Sequence, residues 1–216
     1  MSMQSVAERP LTGEMAEAAF FGLALSRRSI RRYLDRPVDP ALVTRLIEIA
    51  GRAPSAHNRQ PWRWAVVSTP EVKASLAAAM GEAFRRDLVR DGLPVETVEE
   101  MVARSRARIG GAPVVIIPCL TMEEMDVYPD AERQHCEWLM AAQSVALAVG
   151  NLMLAAHAAG LGSCWICAPI FCPGVVRQAL DLPAAWDPQG LITLGYPADN
   201  GRDRQRKPVE AVTVWR

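Results

Sequence analysis

A chain of 216 residues with 24 basic and 24 acidic side chains has no net charge with which to recruit nucleic acid or a membrane surface. Half of its residues are hydrophobic, enough for a sizeable core, and neither a repeat nor a Gly/Ser/Pro linker divides it. Five cysteines, odd in number and irregular in spacing, argue against a disulfide framework and suit a reducing cytoplasm.

The first ten residues, MSMQSVAERP, have no apolar signal core and read as a disordered tail on a single domain covering 1–216. Thr12 is placed to cap a helix that runs to about Leu25. A basic stretch follows, with Arg27, Arg28, Arg31 and Arg32 around Ser29. Asp39-Pro40 is a cap followed by proline in the first turn. Leu42, Leu46, Ile49 and Ala53 supply that helix's apolar face until Pro54 ends it. Residues 55–61 form a polar loop, after which Trp62, Trp64 and Val66 alternate with Arg63, Ala65 and Val67 as in a strand.

Thr69-Pro70 opens a helix to about Arg90, Asp91-Gly92 breaks it, and another helix runs to about Ile109. This middle section is charged and its apolar stripe is thin, so it reads as a mobile excursion over a site rather than as core. Gly110-Gly111 leads into a buried strand over 112–117. Residues 163–168 form a short apolar strand, 173–180 a helix and 191–196 a strand, and 209–215 alternates like a terminal strand.

The longest apolar stretch, 130–162, sets the architecture. At helical spacing Trp138, Ala142, Val145, Val149, Leu152 and Ala156 share one broad face. Its length would suffice for a membrane span. Gln143, Ser144, Asn151 and His157 interrupt it, however, and no aromatic belt or basic flank accompanies it, so no membrane is expected. A helix of roughly 30 residues is about 45 Å long, more than a small domain covers. Part of it is therefore expected against a second subunit. Strands and helices mix without strict alternation, which predicts an α+β fold with a mixed β-sheet flanked by helices.

Two basic clusters carry the first chemical signal. Guanidinium groups bind phosphate through paired hydrogen bonds, and Ser29 adds a hydroxyl among Arg27, Arg28 and Arg31. Arg204, Arg206 and Lys207 form the second cluster near the other end. Either cluster alone is also what a solvated basic loop looks like. In the loop APSAHNRQPW, Asn58 and Gln60 offer donors and acceptors suited to a planar heterocycle, or belong to an ordinary polar turn. Cys164 and Cys167 are spaced for redox or zinc chemistry, but within a strand they point to opposite faces, and no metal site is expected.

The run RRSIRRY, then APSAHNRQPW, then an Ala-rich helix ending GLGSCWI, then GYP with RKP beyond it, resembles the FMN-dependent nitroreductase family from about Leu25 to the C-terminus. The resemblance implies a nitroreductase-like fold and an obligate homodimer with FMN at the interface. Arg27, Arg28, Ser29 and Arg31 match its first phosphate and ribityl contacts, and Arg206, assisted by Arg204, its late phosphate arginine. Pro54, Ser55, Ala56 and Asn58 match a loop laid against the flavin of the partner subunit. Cys167 and Ala168, with Pro169, match the backbone presented to the reactive edge of the ring, where the family more often carries glycines. Residues 165–172 and 181–190 further resemble the C-terminal flavin domain of the ligase that builds the deazaflavin coenzyme.

The family implies hydride transfer from NADH or NADPH through the flavin to a small-molecule acceptor by a ping-pong scheme. The acceptor would be a nitroaromatic, a quinone or another conjugated compound. No side chain is expected as catalytic acid or base, in keeping with three histidines and no triad. Two other readings are a dedicated reductase of a deazaflavin-coenzyme precursor and a non-enzymatic flavin-binding protein. The middle helices carry Arg85, Arg86, Arg90, Arg104, Arg106 and Arg108. These either solvate two surface helices, balanced by Glu82, Asp87, Glu96, Glu99 and Glu100, or favour an anionic acceptor.

Overall fold

The computed structural model describes residues 13–216. The expected tail and the Thr12 cap lie outside the described residues. Helix α1 (Glu14–Ser26) starts instead at Gly13, whose φ of 83° suits glycine. Helix α2 (Pro40–Ala50) starts where its cap dictates, with the Asp39 carboxylate accepting from the Ala41 amide at 2.9 Å. Its buried stripe is Val43, Leu46 and Ala50, whereas Ile49, expected inside, is 44% exposed.

The remaining elements are β1 (Trp62–Val67), α3 (Pro70–Arg90), α4 (Val95–Gly110), β2 (Val114–Leu120), α5 (Ala131–Ala158), β3 (Gly162–Ile166), α6 (Pro173–Leu180), β4 (Asp187–Pro188) and β5 (Leu191–Gly195). The fold is α+β, with strand order β1-β2-β5-β3 and β4 paired to the end of β2. The sheet is not mixed: every ladder is antiparallel, and the one parallel pairing among the described residues is the single bridge between Ser29 and Ser163. The connections bring each strand back beside its neighbour in the opposite sense, so no parallel crossover is needed.

Strand β2 is buried throughout because helices cover both faces of the sheet. Val114, Ile116 and Leu120 join the core beneath α2 and α5, while Val115, Ile117 and Cys119 join the one beneath α3 and α6. The middle helices are not an excursion off the core. Leu76, Ala77 and Met80 of α3 pack into the second core, and Leu88, Val98 and Val102 close a small cluster of their own between α3 and α4. Lys73, at the start of α3, is buried and donates to the carbonyls of Ala112 (2.6 Å) and Pro113 (3.0 Å), tying that helix to the start of β2.

Helix α5 begins at Asp130, which caps the Arg133 amide at 2.9 Å. It is the one described helix long and apolar enough to cross a membrane, and it is a core helix on the sheet and α2. Its deepest apolar residues are Ala141, Val145, Ala148, Leu152 and Ala156, with Trp138 and Ala142 only half-buried. The expected terminal strand is absent. Residues 209–211 form a 3₁₀ turn, and Val212, Val214 and Trp215 run on exposed with no ladder partner among the described residues. Alternation in sequence makes a strand only where an edge is within reach.

Candidate functional site

The first basic segment is stitched to the end of the sheet. The Ile30 amide donates to the Ser163 carbonyl at 3.0 Å, that of Leu34 to Tyr196 at 2.9 Å, and that of Ala198 to Arg32 at 3.0 Å. Space for this docking comes from two glycines that face each other across β3 and β5, Gly162 and Gly195. A Cβ on Gly162 would stand 2.7 Å from the Ile30 Cβ, and one on Gly195 would stand 2.6 Å from the Pro113 ring. With Ile30 buried below, Arg28, Ser29 and Arg31 are held along the rim.

Tyr33 fixes the same segment from beneath. Its hydroxyl lies 2.7 Å from the Ile30 carbonyl oxygen and 2.7 Å from the Thr193 hydroxyl, so it can donate to one and accept from the other. Burial holds this hydroxyl protonated far above the usual tyrosine range.

The second basic segment returns beside the first. Asp199 accepts from the Gly201 amide at 2.8 Å and pairs with Arg32 at 2.7 Å, and these two contacts, in that order, lower its carboxyl pKa. Arg28 pairs with Asp203 at 2.9 Å. Gly201, at φ 69°, lets the turn close over the Arg28 stem, where a Cβ would come within 3.0 Å.

Two segments far apart in sequence thereby share one cleft of about 730 Å³. Arg28, Ser29 and Arg31 line it from one side and Arg204 and Arg206 from the other, joined by Arg32 and Arg202. Arg104 and Arg108 reach in from α4. The same two side chains also line a more apolar cavity of about 550 Å³, so the two spaces meet there. Its walls include Met80 and Phe84 of α3, Met101 of α4, Ile166 at the end of β3, and Ala168 and Phe171 after it. Spaces of this size suit small organic ligands. Here a polyanionic end and a planar apolar body would each find a chamber.

Six residues that the sequence puts forward are placed elsewhere. Arg27 turns to a separate cavity of about 330 Å³ beside His157, with its Nη1 buried and unpartnered. Cys167 is exposed and lines neither chamber; the Trp165 indole N–H donates to its sulfur at 2.9 Å, whereas Cys164 is buried, so the two thiols diverge. Cys167 itself follows the strand, which ends at Ile166 rather than at 168. Pro54, Ser55, Ala56 and Asn58 lie apart from both chambers of their own chain. That loop leans on α5, the Ala56 amide donating to the Ser144 hydroxyl at 3.2 Å and the Gln60 amide to that of Ser55 at 3.1 Å. His57, Asn58 and Gln60 take φ values of 48°, 54° and 50°, a left-handed conformation that costs non-glycine residues about 1 kcal/mol or more each.

Cys172, on the apolar chamber wall, has its thiol pushed up by burial, and burial pushes the core thiol of Cys119 up to about 12. Both are therefore held as neutral thiols. Neither chamber presents a nucleophile paired with a base, so the site is built to bind and orient. Sequence reasoning noticed Arg104 and Arg108 only as two among six. The signal that sets them apart is spacing: Met101, Arg104, Ser105 and Arg108 fall on one face of α4, and all four line the apolar chamber.

The same architecture occurs in known proteins. The chain is 36% identical over 201 residues to a protein of Thermus thermophilus named NADH dehydrogenase, covering 89% of this chain and 94% of that one. It is 28% identical over 207 residues to the iodotyrosine deiodinase of Haliscomenobacter hydrossis, covering 91% and 88%. A structure described as a nitroreductase from Desulfovibrio desulfuricans in complex with FMN superposes with a TM-score of 0.69 at 27% identity, over 91% of this chain and 96% of that one. The nitroreductase family model matches residues 24–196, from the last turn of α1 to just past β5, and the chain belongs to the nitroreductase family.

Proposed function

We propose that this protein is an FMN-dependent NAD(P)H oxidoreductase that works as a homodimer by a ping-pong scheme, reducing a nitroaromatic, quinone or other conjugated acceptor. The observation that carries the reading is the convergence of Arg28, Ser29 and Arg31 with Arg204 and Arg206 in one cleft, next to an apolar chamber. That donor set fits a terminal phosphate, and the Gly201 turn keeps a side chain from filling the space beside Arg28. The phosphate of FMN would be held there, and Ala168 would stand against the ring. Bound FMN supplies two-electron transfer between a nicotinamide and the acceptor. The chain's own task is to anchor the phosphate, shape the apolar chamber and keep bulk water from it. The FMN complex of the Desulfovibrio relative and the name of the Thermus relative support this reading.

A second copy accounts for features that one chain leaves without a role. Helix α1 has no buried residue, with Met15, Phe20, Phe21 and Leu25 exposed, and Leu139 and Leu147 face outward from α5. In the dimer the loop 54–58 would serve the partner's flavin. The five free cysteines suit a reducing cytoplasm. A narrower reading, reduction of an unsaturated deazaflavin-coenzyme precursor, draws support from Ile166, Ala168, Phe171 and Cys172. These wall residues lie in the segment that carries that resemblance.

The test is direct. The purified protein should be a yellow dimer by light scattering and release FMN on denaturation. NADH or NADPH should bleach it anaerobically, and acceptor should restore the colour. A colourless protein with no flavin affinity refutes the reading, and bound FMN that no nicotinamide reduces leaves a flavin-binding protein instead.

A further inference from the structure

The basic cleft holds more positive charge than one phosphate needs. Eight arginines line it: Arg28, Arg31, Arg32, Arg202, Arg204 and Arg206 from the two rim segments, with Arg104 and Arg108 from α4. Two of the eight are paired, Arg28 with Asp203 and Arg32 with Asp199, which leaves six with no carboxylate partner among the described residues. A phosphate monoester carries about two negative charges. Roughly four positive charges remain, and a cleft lined by one sign of charge draws in a further anion.

The middle helices show which arginines are spare. Arg85 is tied to Glu82 and Glu99, Arg106 to Glu82, and Arg90 lies 3.9 Å from Asp87. Arg86 lines neither chamber. Arg104 and Arg108 alone among the six border both the basic cleft and the apolar cavity, one helical turn apart on the same face. The apolar cavity is also polar at two ends of opposite sign. Asp87 and Asp91 stand where the α3–α4 hairpin turns, and Arg104 and Arg108 stand toward its base. An apolar molecule with one anionic group can enter this space in only one sense, anion toward the arginines.

We propose that Arg104 and Arg108 recognise the anionic group, carboxylate or phosphate, of an electron acceptor whose conjugated body shares the apolar chamber with the flavin ring. This rests on the flavin reading above and adds the class of acceptor. The two guanidiniums set orientation through paired hydrogen bonds and raise the capture rate through their field. Phe84, Met101 and Phe171 supply the apolar wall against which the body lies.

The experiment uses the flavin-loaded protein, NADPH, and two probes of like shape: anionic para-nitrobenzoate and neutral para-nitrobenzamide. In the assay the nicotinamide gives a hydride equivalent and solvent a proton. The nitro group loses one oxygen as water, and a nitroso product is formed. Taking each acceptor's kcat/KM relative to wild type cancels the difference in their potentials. In Arg104→Gln/Arg108→Gln the ratio of anionic to neutral efficiency should fall at least tenfold, chiefly through KM. Arg104→Lys/Arg108→Lys, which keeps the charge, should recover part of it. In wild type the preference should shrink as salt rises from about 0.05 to 0.5 M.

Equal losses for both acceptors overturn the proposal. A weakened FMN affinity that accounts for the loss assigns the arginines to the cofactor, and a loss confined to the NADPH KM assigns them to the donor; both results overturn it. Calorimetric titration of para-nitrobenzoate reads binding without turnover. Binding by wild type but not by the Gln variant upholds the anion site even if the flavin reading fails, and equal binding by both sinks it.

Discussion

Replacing Tyr33 with phenylalanine separates the hydroxyl's role from the ring's. The ring volume stays, so no cavity opens, while the contacts at 2.7 Å to the Ile30 carbonyl and 2.7 Å to the Thr193 hydroxyl are lost. A partner left unsatisfied in a buried setting costs about 1–3 kcal/mol, and the Thr193 hydroxyl can rotate toward another acceptor, so the total should stay within that range. For a domain of this size each kcal/mol shifts Tm by about 2–4 °C, so the variant should melt roughly 2–12 °C lower. Both proteins must be compared at equal flavin and protein concentration, because binding of either kind raises Tm. The Ile30 segment carries the rim arginines, so FMN affinity should fall as well.

The pH dependence tests the cause. Burial raises the folded pKa of Tyr33 above its ordinary value of 10.0. Below that value folded and unfolded chains both hold the proton, and the contribution is whole. Above it the unfolded chain ionises first, so wild type loses up to about 1.4 kcal/mol per pH unit that phenylalanine cannot lose. The gap between the two proteins in urea melts should therefore narrow above about pH 10. An unchanged Tm with unchanged flavin affinity, or a gap that stays constant through that window, would refute the assigned role.

Arg28→Ala and Arg206→Ala should each weaken FMN binding about tenfold to a hundredfold in a fluorescence titration, the loss expected of one charged contact. Unchanged titrations for both would remove the phosphate from this cleft. Cys164→Ser should cost stability modestly, since it places a hydroxyl at a buried position, and Cys167→Ser at an exposed one should cost little. Both should leave reduction by NAD(P)H intact in a rapid-mixing assay, and a folded, flavin-loaded double variant that cannot be reduced would show that these thiols take part in electron transfer.

Where the sequence determined structure locally, it could be read. The Asp39-Pro40 start was legible as a cap because one carboxylate reaching one amide needs no tertiary partner. The continuous apolar run of β2 declared a strand covered on both faces. Strand direction was not legible, because an apolar run does not encode the sense of its neighbours. Neither was the fate of 209–215, whose alternation depends on an edge elsewhere. The two basic clusters were visible as compositions. That they share a cleft depends on Gly162 and Gly195 facing each other across β3 and β5, a pairing set by register. Spacing puts Arg104 and Arg108 on one face of α4, but that Arg85 and Arg106 are taken up by Glu99 and Glu82 of the facing helix could be known only from the packing.

The remaining discrepancies share a direction. Ile49 on α2, Leu139 and Leu147 on α5, and Phe20 and Phe21 on α1 are apolar at positions where one chain leaves them in water. Scattered singly, such residues would need no explanation, but α2 and α5 build the core with their opposite faces, and α1 buries no residue at all. The loop 54–58 adds a liability of another kind. Its left-handed residues store strain, yet it borders no chamber of its own chain. Strain of that kind persists only where the surroundings fix it, and Ser144 of α5 is what the loop rests on. A second copy packed on α1 and α5 would bury the apolar faces and carry this braced loop to a neighbouring chamber. The proposed dimer is then a condition for a complete site. Dilution that separates the subunits should release flavin at the same concentration, whereas a monomer that keeps its FMN would show that one chain suffices.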